Sequence, residues 1–146
     1  MTPKCAIAAA AWLHLCSTVA AQTIDFCDVS ASAVSFGDVN VRENTTTTGE
    51  VRVHCDAPAA FAVALSPGYG DYNMRRMRGP SGAELQYNLY IDPHYYQVWG
   101  DGTSSNTWRL SGQNNADFVI YGFVPRQRPV RAGIYNDQLT VTLTFP

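Results

Sequence analysis

The chain has 146 residues, of which 46% are hydrophobic and 15% charged, and its formal net charge is −2. That length fits one domain with a single core. A slightly acidic chain whose only lysine is Lys4 lacks the basic surface that nucleic-acid binding requires, so we expect no nucleic-acid partner.

The first 21 residues predict a secretory signal peptide, which leaves residues 22–146 as one mature domain. Lys4 precedes an apolar run over residues 6–13, and a small-residue exit ends at Ala21. The run is shorter than the roughly 20 apolar residues that a membrane span needs. We therefore expect export without membrane insertion. The alternative is an N-terminal anchor that is retained.

Cleavage after Ala21 would leave Cys27 and Cys55 as the only two cysteines. In an exported protein such a pair is expected to form a disulfide, which stabilises the fold by about 3 to 4 kcal/mol in the chain-entropy model. The alternatives are a reactive thiol and a metal site, and the metal site would need distant histidines to complete four ligands.

Short alternating apolar runs separated by Gly, Asn, Asp and Pro follow along the mature chain, and no apolar period of 3.6 is sustained. They predict strands over residues 34–39, 50–55, 61–65, 85–91, 118–124 and 138–145. The run 118–124 is apolar on both sides, which predicts a central strand covered on both faces. The pattern as a whole predicts an all-β sandwich with Greek-key connections.

Two segments between the runs predict loops. Residues 69–81 carry Arg75, Arg76 and Arg78 and predict a solvated basic hairpin tip. Residues 100–115 are rich in Gly, Ser, Asn and Thr, with Trp108 and Leu110 expected to hold the segment against the core.

The last run, QLTVTLTFP, alternates strictly. Its large apolar side chains on one face are Leu139, Val141, Leu143 and Phe145. Such a row needs a cover, and each strand edge needs a hydrogen-bonding neighbour. With no sequence given beyond Pro146, we expect another chain to supply both.

No motif for a nucleophile, a metal or a phosphate is present, so we predict no enzyme, no cofactor and no metal site. Asp92 and His94 form the best acid and base candidate, but we expect them to form a turn with a solvated histidine instead. His54 is expected to face solvent. The aromatic residues Tyr95, Tyr96 and Trp99 lie in a predicted loop and are candidates for recognition of a glycan or surface.

Seven stretches in order resemble the spore coat protein U domain family, which includes subunits of archaic (Csu-type) chaperone-usher pili. The stretches are CDVSASAVSFGDV, GEVRVHC, VALSPGYG, LQYNLYID, WGDGTSS, YGFVPRQ and AGIYNDQLTVTLTF. They span nearly the whole mature chain.

The resemblance implies an incomplete immunoglobulin-like sandwich that lacks its last strand, with a disulfide between Cys27 and Cys55. It also implies assembly by donor-strand complementation at an acceptor groove beside residues 138–145. The implied partners are a periplasmic chaperone, an outer-membrane usher and other pilin subunits, in a fibre or coat at the cell surface that contributes to adhesion or biofilm formation. The alternative is an adhesin-like module at the fibre tip.

The segment before Cys27 is shorter than a repeating shaft subunit needs for strand donation. Only QTIDF lies between the predicted cleavage site and Cys27. Ile24 and Phe26 could fill two pockets of a neighbour at most, so we expect a better strand acceptor than strand donor.

Overall fold

The computed structural model describes residues 27–103 and 107–146. The predicted signal peptide and the QTIDF segment lie outside the described residues. The strands of the described part are β1 (Cys27–Ala31), β2 (Thr45–Cys55), β3 (Ala60–Leu65), β4 (Arg75–Arg78), β5 (Glu84–Tyr90), β6 (Val98–Trp99), β7 (Thr107–Trp108), β8 (Leu110–Gln113), β9 (Ala116–Val124) and β10 (Val141–Thr144). The helical content of the same residues is one 3-10 turn, Pro80–Gly82.

The strands form two sheets. The large sheet has the order β1-β2-β9-β5-β6-β7, with β4 paired to one part of β5, and the small sheet has the order β10-β3-β8. All described pairs are antiparallel except β6 with β7. The prediction of an all-β sandwich is confirmed.

The core lies between the sheets and is built by alternation along the strands. In β3 and in the second half of β2 every second residue is buried, and the longest ladder joins β2 to β9 with Val51 opposite Phe118. The buried apolar residues are Val51, Val53, Cys55, Phe61, Val63, Leu65, Leu85, Tyr87, Leu89, Trp99, Ile120 and Val124.

Two strand predictions need correction. Residues 34–39 form no regular strand, because no described strand pairs with them and they lie across the face of the large sheet at Gly49 and Gly122. β9 is central, between β2 and β5, but its outer face is not covered throughout. Val119 on that face is exposed, whereas the ring of Phe123 is covered by the ring of Tyr95, with 5.1 Å between the ring centroids.

Candidate functional site: the open groove beside β10

One edge of β10 is free of a strand partner among the described residues, since β3 is the only strand paired with it there. The Ser66 N–H donates to the Thr140 carbonyl at 2.9 Å, and the Thr140 N–H donates to Ser66 Oγ at 2.9 Å. Residues of an antiparallel ladder alternate in the direction of their backbone groups. The N–H and C=O groups of Leu139, Val141 and Leu143 therefore point to the open edge.

A groove of about 890 Å³ runs along that edge. One wall is formed by residues 31–41, and the other by residues 130–137 with Leu139 and Val141. The apolar floor comes from both sheets and comprises Leu65, Met77, Leu85, Tyr87, Leu89 and Ile120. An extended segment placed here would meet unpaired backbone groups at its side and apolar side chains below.

The wall of residues 31–41 is held by few polar contacts. Ser32 exchanges two hydrogen bonds with the Glu50 backbone, and Thr47 Oγ1 donates to the Ser35 carbonyl at 2.7 Å. Close packing on glycines adds to these contacts. A Cβ atom at Gly122 would lie 2.9 Å from the Phe36 ring, and one at Gly49 would lie 2.7 Å from Val34. The absent side chains let the wall lie directly on the large sheet.

A carboxylate closes one end of the groove. The Tyr87 hydroxyl donates to Asp137 Oδ2 at 2.7 Å, and the Tyr69 and Gln138 N–H groups donate to Asp137 Oδ1 at 3.1 and 2.8 Å. Burial raises the pKa of Tyr87 well above its usual range, and the hydrogen bond to Asp137 and the negative charge of that carboxylate add to the effect.

Behind the groove lies a buried guanidinium. Arg75 is fully buried, and it donates to the backbone carbonyls of Ser66 and Trp99 and to Asn88 Oδ1. Burial lowers the pKa of Arg75, while neighbouring tyrosines act in the opposite direction. The prediction of a solvated basic tip is thus wrong for Arg75. The signal in the sequence that could have indicated burial of Arg75 is its spacing of two residues from Met77, which lies on the groove side of β4.

Residues 12–142 match the family described as the Spore Coat Protein U domain. The chain belongs to the Spore Coat Protein U domain family. Over 106 residues, 67% of the chain, it is 29% identical to Protein U of Myxococcus xanthus, of which the match spans 59%. The family is named for a coat protein, which is a structural role and not an enzymatic one.

A solved structure shares the fold. It is the CsuC-CsuE chaperone-tip adhesion subunit pre-assembly complex from the archaic chaperone-usher Csu pili of Acinetobacter baumannii, with a TM-score of 0.61 and 21% identity. The match covers 84% of this chain and 40% of that chain. The likeness agrees with an immunoglobulin-like fold for this Spore Coat Protein U domain. The chain thus spans less than two thirds of both relatives.

The structure of this Spore Coat Protein U domain places the predicted acceptor residues at different depths. Leu139 and Val141 are half-buried and line the groove, and Leu143 is half-buried against the core. Phe145 is 47% exposed and lines a separate depression with Phe61. The role of all four in strand binding stays a prediction.

The Spore Coat Protein U domain carries the expected disulfide. Cys27 and Cys55 are directly opposite each other in the β1–β2 ladder, with Cα atoms 4.1 Å apart and sulfur atoms bonded at 2.03 Å. The bond ties the start of β1 to the end of β2. It therefore fixes the strand from which the groove wall of residues 31–41 continues.

The three aromatic recognition candidates do not form one surface. Tyr96 is 85% exposed and stacks on His94, and Tyr95 is half-buried between Tyr90 and Phe123. Trp99 has 0% exposure, so its assignment to an exposed loop is wrong. It belongs to β6, and its indole Nε1–H donates to the Val63 carbonyl at 3.0 Å inside the core.

The polar turn candidates have structural roles. The Asp92 carboxylate accepts hydrogen bonds from the N–H groups of His94, Tyr96 and Gln97, so its oxygen atoms organise the turn. His54 is exposed, as predicted. Trp108 is 52% exposed, so the prediction that it holds residues 100–115 to the core is wrong, since its side chain lies on the surface face of β7.

Within residues 27–103 and 107–146 no three His, Cys, Asp or Glu side chains cluster as metal ligands would. The same residues include no apolar helix of membrane-spanning length.

Proposed function

We propose that this domain is a structural subunit of a surface fibre or coat of the chaperone-usher type, assembled by donor-strand complementation. The observation that carries the proposal is the open edge of β10 beside an apolar groove. Addition of an extended segment to an exposed sheet edge is a recognised binding mode, and chaperone-pilin complexes are among its examples. Backbone hydrogen bonds give affinity in this mode, and pockets for alternate side chains give specificity.

The occupant is a strand from another protein. A periplasmic chaperone would fill the groove during export, and a strand of another subunit would replace it when an outer-membrane usher assembles the fibre. The relative crystallised as a chaperone and tip adhesion subunit complex supports this order. The assembled fibre would lie at the cell surface and contribute to adhesion or biofilm formation.

The energetics explain why such a subunit needs a partner. Full burial of a Val or Leu side chain is worth about 1.5 to 3 kcal/mol. Leu139, Val141 and Leu143 are only half-buried. Because a domain has about 5 to 15 kcal/mol of stability in total, completing this burial changes a large fraction of it. Stability and assembly are thereby coupled in one event.

A synthetic strand peptide tests the proposal. Residues 22–146 are melted with and without a nine-residue peptide that alternates Val or Ile with Thr. At a peptide concentration of about 100 times Kd, the gain of about 2.7 kcal/mol should raise Tm by roughly 10 °C. A peptide of the same composition with its apolar residues contiguous is the control. Equal Tm values with both peptides would refute the proposal.

A single backbone substitution gives a second control. Val141→Pro removes the N–H at the open edge and keeps a side chain of similar size. Because that N–H points away from β3, the ladder between β10 and β3 remains. We expect this variant to fold and to lose most of the gain from the peptide. Thr142→Pro, which removes an N–H on the β3 side, should instead destabilise the free domain.

A second function is favoured by one observation. Tyr96 is 85% exposed and sits on a turn that the Asp92 carboxylate holds rigid through three backbone N–H groups. A rigid exposed aromatic side chain is suited to contact with a glycan or a surface. Tyr96→Ala together with His94→Ala should abolish adhesion of the folded subunit without a change in Tm. Unchanged adhesion would exclude this role.

A further inference from the structure

We propose that the groove end at Asp137 selects a hydrogen-bond donor side chain on the incoming strand and thereby fixes the register of strand addition. The inference rests on the proposed function, because it concerns the strand that fills the groove. Its physical basis is the inward row of the last segment, in which burial alternates from residue 137 onward. The row consists of one carboxylate followed by three apolar side chains, namely Asp137, Leu139, Val141 and Leu143.

The carboxylate is held in one place. The Tyr87 hydroxyl occupies Oδ2, and the Tyr69 and Gln138 N–H groups occupy Oδ1. Gly68 lies so close that a Cβ atom there would be 2.1 Å from Asp137 Oδ2. The carboxylate therefore cannot withdraw when a strand covers it.

The carboxylate also retains capacity for a ligand. A carboxylate offers about four acceptor positions, and three donors are present on Asp137. The nearby guanidinium of Arg75 directs its hydrogen bonds to Ser66, Asn88 and Trp99. One acceptor position thus remains for an incoming N–H or O–H group.

The chemistry of burial then discriminates between incoming side chains. An apolar side chain over Asp137 would remove water from a charged group and give no hydrogen bond in return. A donor would form a charge-assisted hydrogen bond, which is stronger than one between neutral groups. The strand that fits has a donor side chain at the end position, then apolar side chains opposite Leu139, Val141 and Leu143.

Register follows from the same contrast. A strand has a side-chain period of two, so a slip of two residues keeps its apolar face toward the groove. The apolar floor alone would tolerate such a slip. At Asp137, however, a slip places an apolar side chain of the incoming strand over the carboxylate. The donor side chain of that strand then lies either beyond the groove without a partner or over Leu139. One polar position thereby distinguishes the correct register from its neighbours.

Two matched peptides test the inference on the wild-type domain. Both carry three apolar inward residues, and the end position facing Asp137 holds either lysine or norleucine, which lacks only the amine. Each is made in both sequence directions. We expect the lysine peptide to bind about tenfold more tightly in one direction, corresponding to about 1.4 kcal/mol. Equal affinities, or tighter binding of the norleucine peptide in both directions, would overturn the inference.

Further experiments distinguish failure of this inference from failure of the proposed function. Asp137→Asn keeps an acceptor oxygen and removes the charge, so the lysine preference should largely disappear. Moving lysine to the position opposite Leu139 should weaken binding to the wild-type domain, and unchanged affinity there would contradict the register argument. If none of the peptides binds, the groove is not a strand acceptor and the proposed function fails instead.

Discussion

The guanidinium of Arg75 donates a 2.7 Å hydrogen bond from Nη1 to Asn88 Oδ1 in the interior of the sandwich. Both side chains are buried. Asn88 in turn donates to the carbonyls of Tyr72 and Asn73, so the pair joins β4, β5 and the segment before β4. The same guanidinium binds Ser66, which is hydrogen-bonded to Thr140 beside the groove. A polar network thus supports the strand that we propose as the acceptor.

Arg75→Met should destabilise the domain by about 3 to 5 kcal/mol, because breaking a buried polar network leaves its partners unsatisfied. The acceptors left behind are Asn88 Oδ1 and the carbonyls of Ser66 and Trp99. Arg76→Met is the control, since the Arg76–Glu84 ion pair is exposed and should be worth less than about 1 kcal/mol. Urea denaturation measures both. Equal losses would contradict a special role of Arg75.

Gly122→Ala should cost about 1 to 3 kcal/mol through overpacking, because the new Cβ would lie 2.9 Å from both the Phe36 ring and Thr47. The displaced ring would also enter the groove and weaken binding of the strand peptide. Phe36→Ala removes one of these two obstacles and leaves Thr47 in place. The double variant Phe36→Ala and Gly122→Ala should therefore lose less stability than the sum of the single variants. Additive losses would show that Phe36 does not rest on Gly122.

Replacing both cysteines of the disulfide by serine should lower the free energy of unfolding by about 3 to 4 kcal/mol, because the unfolded chain loses a cross-link that spans 28 residues. Addition of a reductant to the wild-type domain should give a similar loss, and the double variant should not respond to the reductant. These losses are read from denaturation curves. A double variant as stable as the oxidised wild type would contradict the prediction.

The stability of the domain should fall as the pH rises above about 10. In the unfolded chain Tyr87 ionises near its ordinary pKa of about 10, whereas burial and Asp137 keep it protonated in the folded state. The folded state then binds more protons, so stability from this group is complete below pH 10 and declines above it. Tyr87→Phe should reduce the slope by up to about 1.4 kcal/mol per pH unit. Some slope should remain, since burial also raises the pKa values of Tyr72 and Tyr90.

Tryptophan fluorescence should report two environments in residues 22–146. Trp99 is buried and Trp108 is 52% exposed, so acrylamide should quench the emission of Trp108 far more than that of Trp99. Trp108→Phe should remove most of the quenchable emission. If quenching is instead lost in Trp99→Phe, the assignment of Trp99 to the core is wrong.

The sequence predicted the fold correctly where apolar residues alternate with polar ones and the apolar ones are buried. Alternation placed Val51, Val53 and Cys55 inside and His54 outside, and composition identified the pair that forms the disulfide. These features follow from local geometry and from residue type. The same reasoning found the apolar face of the last strand.

Other features arise only from contacts between distant segments. A run of arginines is solvated in most loops, and Arg75 is buried only because Ser66, Asn88 and Trp99 converge on it. Trp99 lies in the core, where the Val63 carbonyl accepts its indole N–H and Phe118 packs against its ring. The groove itself depends on how residues 31–41 cross the large sheet at Gly49 and Gly122. Periodicity describes which face of a strand is apolar. Tertiary packing determines which segment covers that face and whether the face is left uncovered.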